Sequence, residues 1–243
     1  MNLGLLISMP NELWWLVMLV ANFSGILFVY RVFGRIGLYL WIPIATITAN
    51  IQVLKLVELF GITATLGNIV YATSFLATDI LSENYGKKAA SHAVGIGFFS
   101  LIMVTILMNI AIAFNPAADD FAQESLALIF GFLPRIAFAS LVAYGVSQIH
   151  DIWAYSFWKQ KKPHQKYIWI RNNASTMVSQ LIDTLIFNFL AFWGVVPFSV
   201  FLQIFLTTYL LKWLVALLDT PLVYLASSWL RTGKVRELEE ILD

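Results

Sequence analysis

Charged residues cut this chain into long apolar runs, and their spacing limits the fold more than any single motif does. A helix needs about 20 mostly apolar residues to cross the hydrocarbon of a bilayer. Seven runs of roughly that length lie between the charges: 13–30, 37–57, 62–80, 93–114, 126–152, 174–193 and 198–230. Lipid offers no water to satisfy backbone N–H and C=O groups, so helices are the expected form of each run. With 60% hydrophobic and 12% charged residues, the composition also lies far from a soluble domain, where about a quarter of residues are charged. The expected fold class is an all-α integral membrane protein: one transmembrane domain over residues 1–243, about seven helices, and a solvated cytoplasmic tail at 231–243.

The third run is polar for a helix facing lipid, since it carries Thr63, Thr65, Asn68, Thr73 and Ser74. It is expected inside the bundle, either crossing fully or broken where neighbours satisfy its backbone. The last run exceeds one crossing, which predicts tilt, a kink near Pro221 or an extension into the cytoplasm. Orientation follows from Lys and Arg in short loops, which stay on the cytoplasmic side. Arg31 and Arg35 follow the first run, Lys87 and Lys88 the third, a basic cluster from Lys159 to Arg171 the fifth, and Arg231, Lys234 and Arg236 the seventh. The intervening loops hold Glu58, then Asp119, Asp120 and Glu124, then a neutral turn. This bias predicts an outside amino terminus and an inside carboxyl terminus.

Several function classes fall away. Cysteine is absent, so disulfides, thiolate metal sites and cysteine nucleophiles are excluded. A net charge of +1 gives no field for steering nucleic acid. His92, His150 and His164 lack metal-ligand spacing. The Gly95 stretch lacks the strand and Lys of a phosphate loop, and no nucleophile elbow is present. No cofactor, metal or catalytic residue is therefore expected.

The polar residues inside the spans carry the chemistry. In the sixth, Thr176, Gln180, Asp183, Thr184, Phe187 and Asn188 fall on one helical stripe that must face protein or water. A carboxylate at mid-membrane needs a partner, and Lys212 and Arg135 are the two cations at similar depth. One such pair alone reads as structural; several polar groups together point to a cavity. The fifth run adds Tyr144, Gln148 and Asp151 on one face, the second adds Asn50, and Asp79 with Glu83 lies one turn apart near the inner surface. Asp151 reads equally as a functional carboxylate or as the aqueous end of its helix. Asp79 and Glu83 read as an inner gate and a proton carrier, against simple pairing with Lys87 or Lys88. Phe75, Tyr144, Phe187 and Tyr209 are candidates to stack a flat ligand, although core packing is the commoner fate of any one.

Three segments in order, TDILSENYGKKAA at 78–90, RIAFASLVAYGVSQIHD at 135–151 and RNNASTMVSQLIDTLIF at 171–187, resemble the queuosine precursor transporter family. The resemblance spans roughly 37–230 and implies a six-helix core, with the first helix an addition to it. It implies a fold similar to the substrate-binding components of energy-coupling-factor transporters, a bacterial cytoplasmic membrane, and import of 7-deazaguanine bases such as queuine and its cyano and aminomethyl precursors. A guanine-like edge presents N1–H and an exocyclic amine that one carboxylate can accept, while its carbonyl wants a donor. On that footing Asp183 reads the edge, Asn50, Gln148, Gln180 and Asn188 add hydrogen bonds, Phe187 stacks, and Arg135 and Lys212 hold the carbonyl or compensate charge. Asp79, Glu83 and Asp151 are then gate or proton-coupling residues.

The expected partners are a purine-like small molecule and the bilayer, with a homo-oligomer or energising proteins left open. Three other readings stand beside a stand-alone transporter: a binding subunit of a multi-component importer, a membrane-embedded enzyme using Asp79, Glu83 and Asp151, and a structural subunit whose buried charges only pair.

Overall fold

A computed structural model describes residues 9–161 and 168–237; the side chains of residues 148, 151–152, 155–156, 158–160 and 168–176 lie outside the described residues. The elements in chain order are α1 (Asn11–Gln52), β1 (Leu56–Leu59), β2 (Ile62–Thr65), α2 (Asn68–Tyr85), α3 (Lys87–Ile112), α4 (Gln123–Phe130), α5 (Leu133–Lys161), α6 (Ile168–Phe192) and α7 (Phe198–Arg231). The protein is a helical membrane protein: α1, α3, α7 and the stretch 123–147 are long and apolar enough to cross a bilayer, and Met177–Phe192 in α6 is a shorter apolar helix.

The 42 residues of α1 cannot form one straight rod across a membrane. At 1.5 Å per residue such a rod would reach about 63 Å, twice the roughly 30 Å of hydrocarbon. Gly34 breaks it, with φ 56° and ψ −137°, a conformation that only glycine adopts without strain. The two legs then fold back on each other. Gly25 lies against the Trp41 ring and Gly37 against the Val29 carbonyl, pairs disposed symmetrically about the break. At the far end, the Asn11 side-chain amide donates to the Glu58 carbonyl just past the second leg, at 2.9 Å. A continuous helix would hold these groups tens of ångströms apart.

The chain does not continue as helix from 53 to 67, where the two apolar runs 37–57 and 62–80 predict it. Leu56–Leu59 and Ile62–Thr65 instead form an antiparallel hairpin, with Leu59 opposite Ile62. Phe60 and Gly61 make its two-residue turn, both at positive φ (53° and 75°), as a type I′ turn requires. The hairpin buries Leu59 and Ala64 against Trp15, Leu19, Ile69, Leu211 and Val215. Its outer backbone is satisfied by helices: the Phe60 N–H donates to Glu12 Oε1 at 2.8 Å, the Thr63 N–H donates to Gln203 Oε1 at 2.9 Å, and Thr207 Oγ1 donates to the Thr63 carbonyl at 3.1 Å.

Helix α2 occupies the middle of the bundle, packed on α1, α3 and α7. Its position explains its polarity, because Asn68 and Thr73 are buried among protein groups and do not meet lipid. Helix α5 pairs most extensively with α6. Residues 126–152 are divided, α4 ending at Phe130 and α5 starting at Leu133. The described part of the 231–243 tail is mostly exposed, but it packs back on the bundle at two residues. Val235 is buried in the core beside Tyr30 and Ile80, and the Arg236 N–H donates to the Arg31 carbonyl at 3.1 Å. The Glu237 carboxylate accepts the Arg35 N–H at 3.1 Å and the Tyr85 hydroxyl.

Candidate functional site

Five helices converge on one interior cavity. Ala49, Asn50 and Val53 from the end of α1, Asn68 and Tyr71 from α2, Ser140 and Ala143 from α5, Asp183 and Phe187 from α6, and Thr208 and Lys212 from α7 line it. The free volume of this cavity is about 30 Å³, with side chains close around it. Alanines on two walls leave this room, and polar side chains crowd the rest.

The ion pair of Asp183 and Lys212 dominates the site. Lys212 Nζ sits 2.5 Å from Asp183 Oδ2, with the two residues only 5% and 4% exposed. Lys212 also reaches Thr184 Oγ1 at 3.3 Å and stands 4.8 Å from the centre of the Tyr71 ring. The Tyr71 hydroxyl makes a long 3.5 Å contact to the other carboxylate oxygen. Burying two charges costs several kcal/mol each, by order of magnitude, unless partners and hydrogen bonds offset it. Here the carboxylate, the ammonium, a hydroxyl and an aromatic face meet at one point, which is how such a pair is tolerated.

The remaining polar lining is also tied down. Asn50 donates to the Thr46 carbonyl at 2.7 Å and accepts the Ser140 hydroxyl at 2.6 Å. Asn68 donates to Thr208 Oγ1 at 2.8 Å. Outside the lining but on α6 with Asp183, Gln180 Oε1 and Asn188 Oδ1 are buried without a hydrogen-bond partner among the described residues. Orphaned buried acceptors are uncommon and call for an explanation.

Of the residues that the sequence singles out, Asn50, Asp183, Phe187 and Lys212 line the cavity, and Gln180 and Asn188 share the helix that carries Asp183. Arg135 does not join them. It is exposed, and donates from Nε to the Leu190 carbonyl at 2.8 Å and from a terminal nitrogen to the Trp193 carbonyl at 2.7 Å. It thus satisfies carbonyls that the last turn of α6 leaves without a helical partner. Asp79 and Glu83 are exposed on α2, away from the cavity lining. The side chains of Gln148 and Asp151 lie outside the described residues. Among the described residues no cluster of three His, Cys, Asp or Glu is placed to hold a metal ion.

Sequence reasoning passed over Tyr71, Ser140, Thr208 and Asp219. Asp219 is 4% exposed on α7, seven residues from Lys212, and within electrostatic reach of Asp79. A signal for the α7 residues was present: Thr208, Lys212 and Asp219 fall at i, i+4 and i+11, one stripe of a helix.

The family described as "Putative vitamin uptake transporter" matches residues 65–226, which include every cavity residue from α2 to α7. Over 218 residues the chain is 46% identical to the "Probable queuosine precursor transporter" of Bacillus subtilis (strain 168), covering 90% of this chain and 95% of that protein. The chain belongs to the queuosine precursor transporter family. The "Queuosine precursor transporter" of Escherichia coli (strain K12) is 29% identical over 149 residues, 60% of this chain and 63% of that protein. The corresponding protein of Haemophilus influenzae (strain ATCC 51907 / DSM 11121 / KW20 / Rd), named "Probable queuosine precursor transporter", is 27% identical over 147 residues, 60% of each chain. No solved structure matches the chain. As a member of this family it is a multi-pass membrane transporter and not an enzyme.

Proposed function

We propose that this chain imports queuosine precursors, 7-deazaguanine bases such as queuine and its cyano and aminomethyl precursors, through the cavity at Asp183 and Lys212. The observation that carries the reading is the buried ion pair itself, which borders an interior cavity instead of being sealed in a packed core. A guanine-like edge offers two donors to one carboxylate and a carbonyl to one cation, and this pair has both complements. Asp183 takes the N1–H and the exocyclic amine. Lys212 donates to the carbonyl. Tyr71 and Phe187, both on the lining, supply aromatic faces for a flat heterocycle. Gln180 and Asn188, on the same helix as Asp183, carry spare acceptors.

In this reading the protein crosses the bacterial cytoplasmic membrane seven times, the two legs of α1 counting separately. Legs of about 23 and 18 residues reach about 34 and 27 Å, each close to one hydrocarbon thickness. The hairpin end faces out, and the end that holds Gly34, Tyr85 and Glu237 faces the cytoplasm, in line with the basic residues there.

Binding and uptake test the reading together. Purified protein should bind queuine saturably, with Asp183→Asn abolishing binding, and proteoliposomes holding this chain alone should accumulate the base. Guanine that displaces queuine equally well, or Asp183→Asn protein that binds as wild type, would overturn it.

A further inference from the structure

A second pocket lies at the opposite end of the bundle, between the first leg of α1 and the turn after α7. Phe28, Arg31 and Val32 form one wall, and Gly233, Lys234 and Arg236 the other. The sequence dictates its shape. Gly233, at φ 64°, ends α7 in a Schellman motif: the Gly233 N–H donates to the Leu230 carbonyl at 3.1 Å and the Lys234 N–H to the Trp229 carbonyl at 2.9 Å. The chain then turns back, and the Arg236 N–H donates to the Arg31 carbonyl at 3.1 Å. Two residues with exposed cationic side chains are thereby fixed beside a third.

The charge of this pocket is one-sided. No acidic side chain lines it, and none of its three cations is ion-paired among the described residues. Glu237, next in sequence, turns to Arg35 and Tyr85 instead. The Arg31 guanidinium is held over the Trp229 ring at 5.4 Å, which orders it without neutralising it. The remaining wall is apolar and outward-facing, with Phe28 63% exposed. A free anion would need only the cations; a cationic rim continuous with an exposed aromatic on a membrane helix suits a headgroup together with its acyl chain.

We propose that Arg31, Lys234 and Arg236 bind the phosphate of an anionic phospholipid, phosphatidylglycerol or cardiolipin, whose acyl chain lies along Phe28 and Val32. This site is separate from the substrate cavity, and does not depend on which base is transported. Basic side chains near a bilayer surface each favour anionic headgroups, and here three line one pocket.

Native mass spectrometry of the full-length protein tests this, with phosphatidylglycerol and phosphatidylcholine offered in equal amounts. The acidic residues Glu239, Glu240 and Asp243, which lie outside the described residues, remain present in that experiment. Wild-type protein is expected to retain phosphatidylglycerol about ten-fold over phosphatidylcholine, and the triple variant Arg31→Gln, Lys234→Gln, Arg236→Gln to retain both alike. Should the triple variant fail to fold, the single exposed change Lys234→Gln is expected to lower the preference several-fold. Equal retention of the two lipids by wild type, an unchanged preference in the variants, or displacement of the lipid by millimolar inorganic phosphate would overturn the proposal.

Discussion

Asp219 lies two turns beyond Lys212 on the same face of α7, and both are buried. The separation along the helix is about 10 Å. Lys212 faces the cavity and the paired Asp183, whereas Asp219 lies deeper, toward the end of the bundle where Asp79 approaches it. One helix face thus carries both the cation of the cavity and a second buried carboxylate. Asp219→Asn is expected to leave queuine affinity within about two-fold and to lower uptake driven by an imposed proton gradient, since a buried ionisable residue inside a membrane bundle is by default a candidate functional group. Proteoliposome uptake with and without an imposed gradient checks it; gradient-driven uptake that survives the change would count against a proton role.

The Asp183 and Lys212 pair predicts a non-additive mutant cycle. Removing one partner strands a buried charge, which costs about 3 to 5 kcal/mol, while removing both leaves neutral groups of similar size. Asp183→Asn and Lys212→Met should each lower thermal stability strongly, and the double variant should regain most of the loss while queuine binding stays absent. Binding by the stable double variant would reduce the pair to a structural role.

Arg135 predicts the reverse pattern. Arg135→Ala removes two hydrogen bonds to the carbonyls of Leu190 and Trp193, each worth about 1.5 to 3 kcal/mol when the donor is charged. Thermal stability should fall, and the affinity of the folded fraction for queuine should not change. A selective loss of affinity would return Arg135 to the site.

The hairpin is held by side chains of α7 as much as by its own ladder. Gln203→Ala leaves the Thr63 N–H without its acceptor, at a cost of about 1 kcal/mol. Faster amide hydrogen exchange at Thr63 and its neighbours, with the rest of the bundle unchanged, is the expected result.

Gly34 predicts a larger penalty than an ordinary helix glycine. A side chain there is strained at φ 56°, and its Cβ would run into the Glu237 carboxylate. Gly34→Ala should destabilise by about 1 to 3 kcal/mol. Adding Glu237→Ala relieves the collision alone, so calorimetry should show only partial recovery.

The membrane class and the polar stripe of α6 were legible in the sequence, because a run of 20 apolar residues and a buried Asp at helical spacing each have few physical explanations. The partner of Asp183 was narrowed to two cations and no further. Lys212 and Arg135 differ in which helix face meets α6, and apolar periodicity does not fix that. The hairpin was hidden for a similar reason. Leu56–Leu59 and Ile62–Thr65 are apolar enough to extend the neighbouring helices, and short apolar runs do not distinguish strand from helix. Thr63 and Thr65, read as polar residues of a helix, are β-branched residues suited to a strand, and Phe60-Gly61 is the turn between. Val235 and Glu237 gave no local signal, since their partners lie some two hundred positions earlier or on another helix.

That long reach has a consequence for α1. The second leg of α1 begins with a backbone N–H at Arg35 whose acceptor is Glu237, close to the end of the chain. The break in α1 is therefore latched from outside its own helix, by a residue that follows α7. Any change that draws the segment after α7 away from the bundle would also uncap the second leg of α1.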